Sequence, residues 1–187
     1  MYCDWLARRE MLTPDKVALV CRNAGTRTEI TYRQLNRNAN RTARWLEGRL
    51  GVGRGDRVAI LAKNSAAYLE LWFACGKIGA ILQTLNWRLT GSELGALLEA
   101  APPKVLVYSA ATAAQVAPLR EARASGATRE GGRWADRFAS LDTPEGDDAA
   151  LREREALADA PFVPSAHVRA EDPWVICYTG GSTGVPK

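Results

Sequence analysis

Residues 56–108 read DRVAILAKNSAAYLELWFACGKIGAILQTLNWRLTGSELGALLEAAPPKVLVY. Three short apolar runs, at 58–61, 80–82 and 105–108, are separated by two stretches of helical length. Short apolar strands that are joined by helix-length crossovers are typical of a parallel sheet. This stretch therefore predicts an α/β fold, with a mostly parallel sheet and flanking helices.

Both crossovers carry the signals of helices. The second opens on Thr90 and Glu93, which have the spacing of a capping box, and it stops before Pro102. The first runs from Ser65 to Lys77 and places a set of bulky or small packing residues on one face: Tyr68, Leu69, Trp72, Phe73 and Gly76. We expect Gly76 to allow close packing between this helix and a strand.

The region before residue 56 predicts two strands and an amphipathic helix. The strands, at 17–21 and 28–31, flank a turn-rich segment at 23–25. The helix starts at a second capping box, Thr31 with Gln34, and extends to residue 50. Its polar face carries a row of arginines that is typical of a solvated surface rather than of a site for lipid or RNA: Arg33, Arg37, Arg41 and Arg44.

Composition excludes several classes of protein. The 187 residues are 47% hydrophobic, which suits a globular domain, and the net charge of +4 is spread among 21 acidic residues rather than gathered in a nucleic-acid-binding patch. Four cysteines without CxxC spacing and a single histidine, His167, indicate neither a zinc site nor a disulfide framework. With no apolar run of membrane-spanning length, we expect a soluble, cytoplasmic protein, for which peripheral membrane contact and the oligomeric state stay open.

We expect three segments along the chain. Residues 1–110 form an N-terminal α/β subdomain, and residues 171–187 form a strand that leads into a loop. Residues 111–170 are rich in Ala, Arg and Glu, with weak apolar content, and predict one or two surface helices and a mobile connection.

The terminal loop carries the chemistry. After the apolar run 174–178, residues 179–187 read TGGSTGVPK, which combines glycine amides, hydroxyls and a lysine as an anion with several oxygens requires. A Walker-type loop is excluded because Val185 and Pro186 separate the last glycine from Lys187. The same residues also fit a nucleophile elbow, in which case the chain would be a piece of an α/β-hydrolase with Ser182 as the nucleophile. In that fold the catalytic histidine follows the serine, whereas the only histidine here lies upstream. A flexible tail without a ligand is the plainest alternative.

Residues 178–187 resemble the phosphate loop of the adenylate-forming superfamily, the AMP-binding acyl-CoA synthetases and their relatives. Gly180 replaces the usual serine and Ser182 the usual threonine, and the Gly-Gly start is similar to fatty-acyl members. Two further stretches, 29–35 and 76–94, resemble the same superfamily in its usual order. The resemblance thus favours the fatty-acid–CoA ligase branch.

The resemblance implies that the loop binds the β- and γ-phosphates of ATP while a carboxylate attacks the α-phosphorus. Acyl-AMP and pyrophosphate form, and coenzyme A then gives the thioester. The implied roles are hydroxyl donation by Thr179, Ser182 and Thr183, amide donation by Gly180, Gly181 and Gly184, and charge from Lys187.

The resemblance also places the superfamily's adenine-binding stretch, magnesium ligand and catalytic lysine beyond position 187. We therefore expect an N-terminal fragment with no catalytic residue and no metal ligand of its own, in which Mg²⁺ and coenzyme A are bound mainly by absent residues. Alone it should make no acyl-adenylate, and its unpaired strand edges should promote aggregation. The alternative is a non-catalytic nucleotide-binding or interaction fragment.

Overall fold

The computed structural model describes residues 4–23, 25–125, 135, 137–164 and 166–179. Its helices are α1 (Trp5–Leu12), α2 (Tyr32–Gly48), α3 (Ala66–Ile78), α4 (Gly91–Ala100) and α5 (Ala113–Ala124). Its strands are β1 (Val17–Asn23), β2 (Thr26–Thr31), β3 (Arg57–Leu61), β4 (Ile81–Thr84), β5 (Val105–Tyr108), β6 (Arg137–Ser140), β7 (Ala149–Ala150) and β8 (Val175–Cys177). Short 3-10 helices span Ala110–Thr112 and Leu151–Ala156.

Six of the strands form one sheet in the order β7-β6-β5-β3-β4-β8, and every neighbouring pair is parallel. β3 lies at the centre, where Val58 pairs with Leu82 on one side and Val105 on the other. The predicted α/β class and parallel sheet are confirmed. The strands predicted between residues 56 and 108 are β3, β4 and β5.

Side chains alternate between the two faces of the sheet along each strand. Both faces carry apolar side chains, and helices cover both. Val58 and Ile60 pack in one apolar cluster with residues of α2 and α3. Ala59 and Leu61 pack in a second cluster with residues of α4 and α5. The result is a three-layer arrangement in which the crossovers that leave β3 and β4 lie on opposite faces.

Local signals fix the starts of the helices. Thr31 and Gln34 make both bonds of a capping box at α2, and Thr90 and Glu93 do the same at α4. The hydroxyl of Ser65 accepts a hydrogen bond from the backbone N–H of Tyr68, at 3.1 Å, at the start of α3. All three predicted starts are confirmed.

The antiparallel hairpin of β1 and β2 packs with α1 and α2 beside the main sheet. Its small core contains Leu6, Leu35 and Ala39, each almost fully buried. The two strands predicted around residues 23–25 are therefore found, and they form a unit of their own rather than part of the parallel sheet.

Residues 110–172 differ from the expectation. The helix α5 is present, but β6 and β7 also lie there and extend the main sheet beyond β5. The buried residues of these strands include Ala139, Ala149 and Ala150, whose small side chains give a weak strand signal. The boundaries at residues 110 and 170 stay a prediction.

The row of arginines on α2 lies at the surface, as expected, but it also holds a neighbouring segment. Arg37 and Arg41 both lie 3.6 Å from the carboxylate of Asp159. Arg44 donates to three backbone carbonyls at 2.8 to 3.1 Å, those of Ala158, Ala160 and Pro161. This face therefore fastens the segment 158–161 to the helix. Across the described ranges, no helix is long and apolar enough to cross a membrane.

Candidate phosphate-binding edge

The carboxyl ends of three adjacent strands, β3, β4 and β8, meet at one edge of the sheet. The chain leaves β3 toward α3 on one face and β4 toward α4 on the other. Such a divergence opens a crevice, which is where open parallel sheets bind ligands. Thr179, the first residue of the predicted phosphate loop, follows β8 at this edge and is exposed.

β8 reaches this position through its pairing with β4. Leu82 pairs with Val175 and Thr84 with Cys177, and the N–H of Leu82 donates to the carbonyl of Trp174 at 2.8 Å. The opposite edge of β8 has no strand partner within the described part of the chain. The strand that delivers the loop is therefore held from one side by backbone hydrogen bonds.

An ion pair fixes the segment that precedes β8. Asp172 accepts from the Nε of Arg54 at 2.8 Å and from its Nη2 at 2.5 Å. The N–H of Arg169 also donates to Asp172, at 2.9 Å. The hydrogen bonds from Arg54, and then that from Arg169, hold the pKa of Asp172 well below its ordinary value. The carboxylate thus stays ionised and ties this segment to the chain before β3.

Trp174 supplies the second anchor. Its indole Nε1 donates to the carbonyl of Trp72 at 2.9 Å, and the two rings meet edge to face with their centroids 6.2 Å apart. The indole lies directly over Gly76, where a Cβ would be only 2.5 Å from Cε2 of Trp174. Gly76 therefore permits a close approach, although it is the side chain of Trp174, just before β8, that lies over it rather than the backbone of a strand as expected.

Tyr178, the first residue of the motif, is oriented by a buried amide. Gln83, in the middle of β4, donates from Nε2 to the Tyr178 hydroxyl at 2.7 Å. The ring packs on the side of α4, and burial raises the pKa of Tyr178. The sequence reasoning missed Gln83, although a polar residue inside an apolar strand is a recognisable signal.

Two cations stand at the same edge. The Nζ of Lys63, two residues after β3, lies 4.7 Å from the ring centroid of Trp87, and the Cζ of Arg88 lies 4.4 Å from it. Asn86 accepts a hydrogen bond from the N–H of Arg88 at 3.0 Å and thereby closes the turn after β4. The sequence reasoning missed this pair because Lys63 and Arg88 meet only through the pairing of β3 with β4.

An apolar cleft of about 700 Å³ adjoins this edge, between the β1–β2 hairpin and α3. Its lining includes Leu19, Trp72 and, at the carboxyl ends of β4 and β8, Thr84 and Cys177. Tyr68 also lines the cleft, and burial is the main cause that raises its pKa to about 12. The cleft therefore offers a largely apolar surface next to the cationic edge, with Arg22 as the charged residue of its lining.

Most of the predicted site lies outside the described residues. Thr179 is described, whereas the other predicted positions are not: Gly180, Gly181, Ser182, Thr183, Gly184 and Lys187. His167 is exposed, and no chemistry is assigned to it. Among residues 4–179, apart from the gaps in the description, no group of three or more His, Cys, Asp or Glu side chains could hold a metal ion.

The geometry defines a class of protein, an α/β protein with a doubly wound parallel sheet and two cations, Lys63 and Arg88, at its carboxyl edge. The profile of the AMP-binding enzyme family matches residues 6–187, so the chain belongs to that family. This confirms the resemblance that the terminal motif indicated.

Three similar proteins locate the chain within the family. It is 36% identical to a feruloyl-CoA synthase of Amycolatopsis over 184 residues, and 34% identical over 185 residues to a long-chain-fatty-acid–CoA ligase of Mycobacterium tuberculosis. Each match covers 98% of this chain, but 32% and 33% of the relatives. A solved fatty acyl CoA synthetase of M. tuberculosis has a TM-score of 0.78 and 29% identity over 98% of this chain and 33% of its own.

The chain thus spans about a third of the length of these relatives. Both sequence relatives are named for the formation or ligation of CoA thioesters, which does not favour the hydrolase interpretation of Ser182.

Proposed function

We propose that the chain is the N-terminal part of an ATP-dependent acid–thiol ligase. The carboxylate of the substrate would attack the α-phosphorus of ATP, so that acyl-AMP forms and pyrophosphate leaves, and the acyl group would then pass to the thiol of coenzyme A with release of AMP. In this reaction the residues at the carboxyl edge of β3, β4 and β8 would belong to the nucleotide side. The observation that carries the proposal is the delivery of Thr179 by β8 to the edge that holds Lys63 and Arg88.

The electrostatic reason is the repulsion between a carboxylate and a polyphosphate. A single cation at about 4 Å from a phosphate oxygen offsets about 4 kcal/mol at an effective dielectric constant near 20. Lys187 is proposed to supply that cation at short range, with Lys63 and Arg88 adding positive potential at the same edge. The hydroxyls of Thr179, Ser182 and Thr183 and the amides of Gly180, Gly181 and Gly184 are proposed to donate to the phosphate oxygens.

We propose a fatty acid as the substrate class. The cleft beside the edge is lined mainly by apolar residues such as Leu19 and Trp72, which suit a hydrocarbon, and by Arg22, which disfavours an amino-bearing acid. The long-chain-fatty-acid–CoA ligase among the relatives supports the same choice. The feruloyl-CoA synthase makes an aromatic acid the competing substrate to be tested.

The test uses a polypeptide extended to the length of the relatives. With Mg-ATP, coenzyme A and hexadecanoate it should release AMP and pyrophosphate, and ferulate should be the poorer substrate. Lys187→Ala should lower kcat/KM for ATP by about 10²-fold or more, whereas the control Lys16→Ala should leave it unchanged. ATP turnover that is absent with every acid, or a Lys187→Ala variant as active as the control, would contradict the proposal.

The 187-residue chain tests whether this part of the enzyme suffices for the first step or for nucleotide binding alone. We expect the chain alone to show no pyrophosphate exchange above a control without protein. Calorimetry with Mg-ATP then measures whether the chain keeps a weak affinity for the nucleotide. Exchange by the chain alone would show that the missing two-thirds are not needed for the first step.

A further inference from the structure

The outward face of α1 is apolar. Trp5 is 71% exposed, Met11 85% and Leu12 64%, so three of the most exposed large apolar side chains of the described residues lie on one eight-residue helix. Trp5, Arg8 and Leu12 are spaced three and four residues apart and share a face, which Met11 borders. We call these four residues the outward face of α1. Its opposite side is anchored by Leu6, which is 2% exposed.

The acidic groups of this helix are turned away from the outward face. Asp4 caps α1 through the N–H of Ala7, at 2.9 Å, and pairs with the buried ammonium of Lys77 on α3. Glu10 accepts a hydrogen bond from Nδ2 of Asn36 on α2, at 2.5 Å. The packing therefore uses the acids to fix the helix, and leaves an exposed face that carries Arg8 and no acid.

We propose that the outward face of α1 docks on an anionic lipid surface. Large apolar side chains with a cation beside them are the composition of helices that lie in the plane of a membrane interface. The indole of Trp5 suits the level of the headgroups, and Arg8 suits lipid phosphates. Charge complementarity thus favours an anionic bilayer over a neutral one.

The size of the face argues for a membrane rather than a protein partner. An eight-residue helix is about 12 Å long. Stable protein interfaces bury about 800 Å² on each partner, much more than one short convex helix presents. A bilayer needs only that a few side chains enter it, and a convex surface is no obstacle to that.

The test is co-flotation of the purified 187-residue chain, and of the extended polypeptide, with mixed phosphatidylserine–phosphatidylcholine vesicles, because an aggregate without lipid does not float. The double variant Trp5→Ser/Leu12→Ser should lose binding by about tenfold or more, because the apolar contribution is removed. Arg8→Gln should weaken binding by about fivefold, the factor for about 1 kcal/mol per cation near an anionic bilayer, and only when phosphatidylserine is present.

Matched controls lie elsewhere on the surface. Val163→Ser removes an apolar side chain that is 82% exposed, and Arg152→Gln removes an exposed cation on a different element. Both should bind vesicles as the unmodified chain does. Circular dichroism and thermal melts of all variants should agree, because the changed side chains are exposed.

Three results would overturn the proposal. One is the absence of vesicle binding, or binding that the double variant keeps. Another is a dimer that dissociates in the double variant, which would assign the face to a second copy of the chain. The third is an extended polypeptide in which Trp5 fluorescence is unaffected by brominated lipids, which would show that later parts of the chain cover α1.

Discussion

Gly76 offers the sharpest test of how β8 is seated. In Gly76→Ala the new Cβ would lie 2.5 Å from Cε2 of Trp174 and 2.7 Å from both Cζ2 and Nε1. Carbon atoms in good contact are about 3.5–4.0 Å apart, so the indole must move by about 1 Å. Such a move also breaks the hydrogen bond from Trp174 to the carbonyl of Trp72.

The expected magnitude follows from three contributions. Overpacking costs about 1–3 kcal/mol, and the lost hydrogen bond about 1 kcal/mol. Alanine regains about 1 kcal/mol over glycine through its helix propensity. Gly76→Ala should therefore lower the free energy of unfolding by about 1–3 kcal/mol.

Gly95→Ala is the matched control, because Gly95 also lies in a helix and a Cβ there would meet nothing within 4 Å. It should raise stability by up to about 1 kcal/mol. Urea unfolding followed by circular dichroism measures both changes. In a Trp174→Leu background the cost of Gly76→Ala should shrink, since the clashing ring is gone. Equal shifts in the two glycine variants, or a cost unchanged by Trp174→Leu, would refute the reasoning.

Three further predictions follow from single contacts. Arg44→Ala should lower the free energy of unfolding by about 1 kcal/mol and speed proteolysis at residues 158–161. The control Arg33→Ala should cost less than about 0.5 kcal/mol, because its partner Asp15 has a side chain that is 82% exposed. Equal losses of the two variants in urea unfolding would contradict this prediction. The buried thiol of Cys75, whose pKa burial raises, should resist alkylation in the folded chain while the exposed Cys177 reacts, as peptide mass mapping can show. Burial, together with the hydrogen bond to Asp148, raises the pKa of Tyr108 to about 12, so its contribution to stability should be complete below a pH of about 10 and lost as the pH rises through 12. Because Tyr68 titrates in the same range, Tyr108→Phe should reduce the phenolate absorbance step near pH 12 without abolishing it, and a step of unchanged amplitude would contradict the assignment.

The parts of the fold that could be predicted are those with local signals. The capping boxes at Thr31 and Thr90 lie within four residues of the helix starts they define, and the apolar runs of β3, β4 and β5 stand between helices of ordinary length. Such patterns depend on neighbours in sequence, so one sequence suffices to read them.

The parts that could not be predicted depend on distant neighbours. β8 pairs with β4, which lies some ninety residues earlier, and β7 consists of two alanines that carry no strand signal. The same reason applies to the site. Residues 179–187 show their chemistry in their own composition, but Lys63, Arg88 and Gln83 join that site only because of the order β3-β4-β8.

Within the described residues, the contacts that locate the phosphate edge lie mostly at the other end of β8. Asp172 with Arg54, and Trp174 with Gly76, hold the amino end of the strand. Thr179 stands at its carboxyl end, a few residues and one strand length away. Because a short strand transmits a shift of its start to its end, the position of Thr179 depends on packing that touches no phosphate. A substitution at Gly76 in the extended enzyme should therefore raise the KM for ATP as well as lower stability, whereas Gly95→Ala should change neither binding nor turnover.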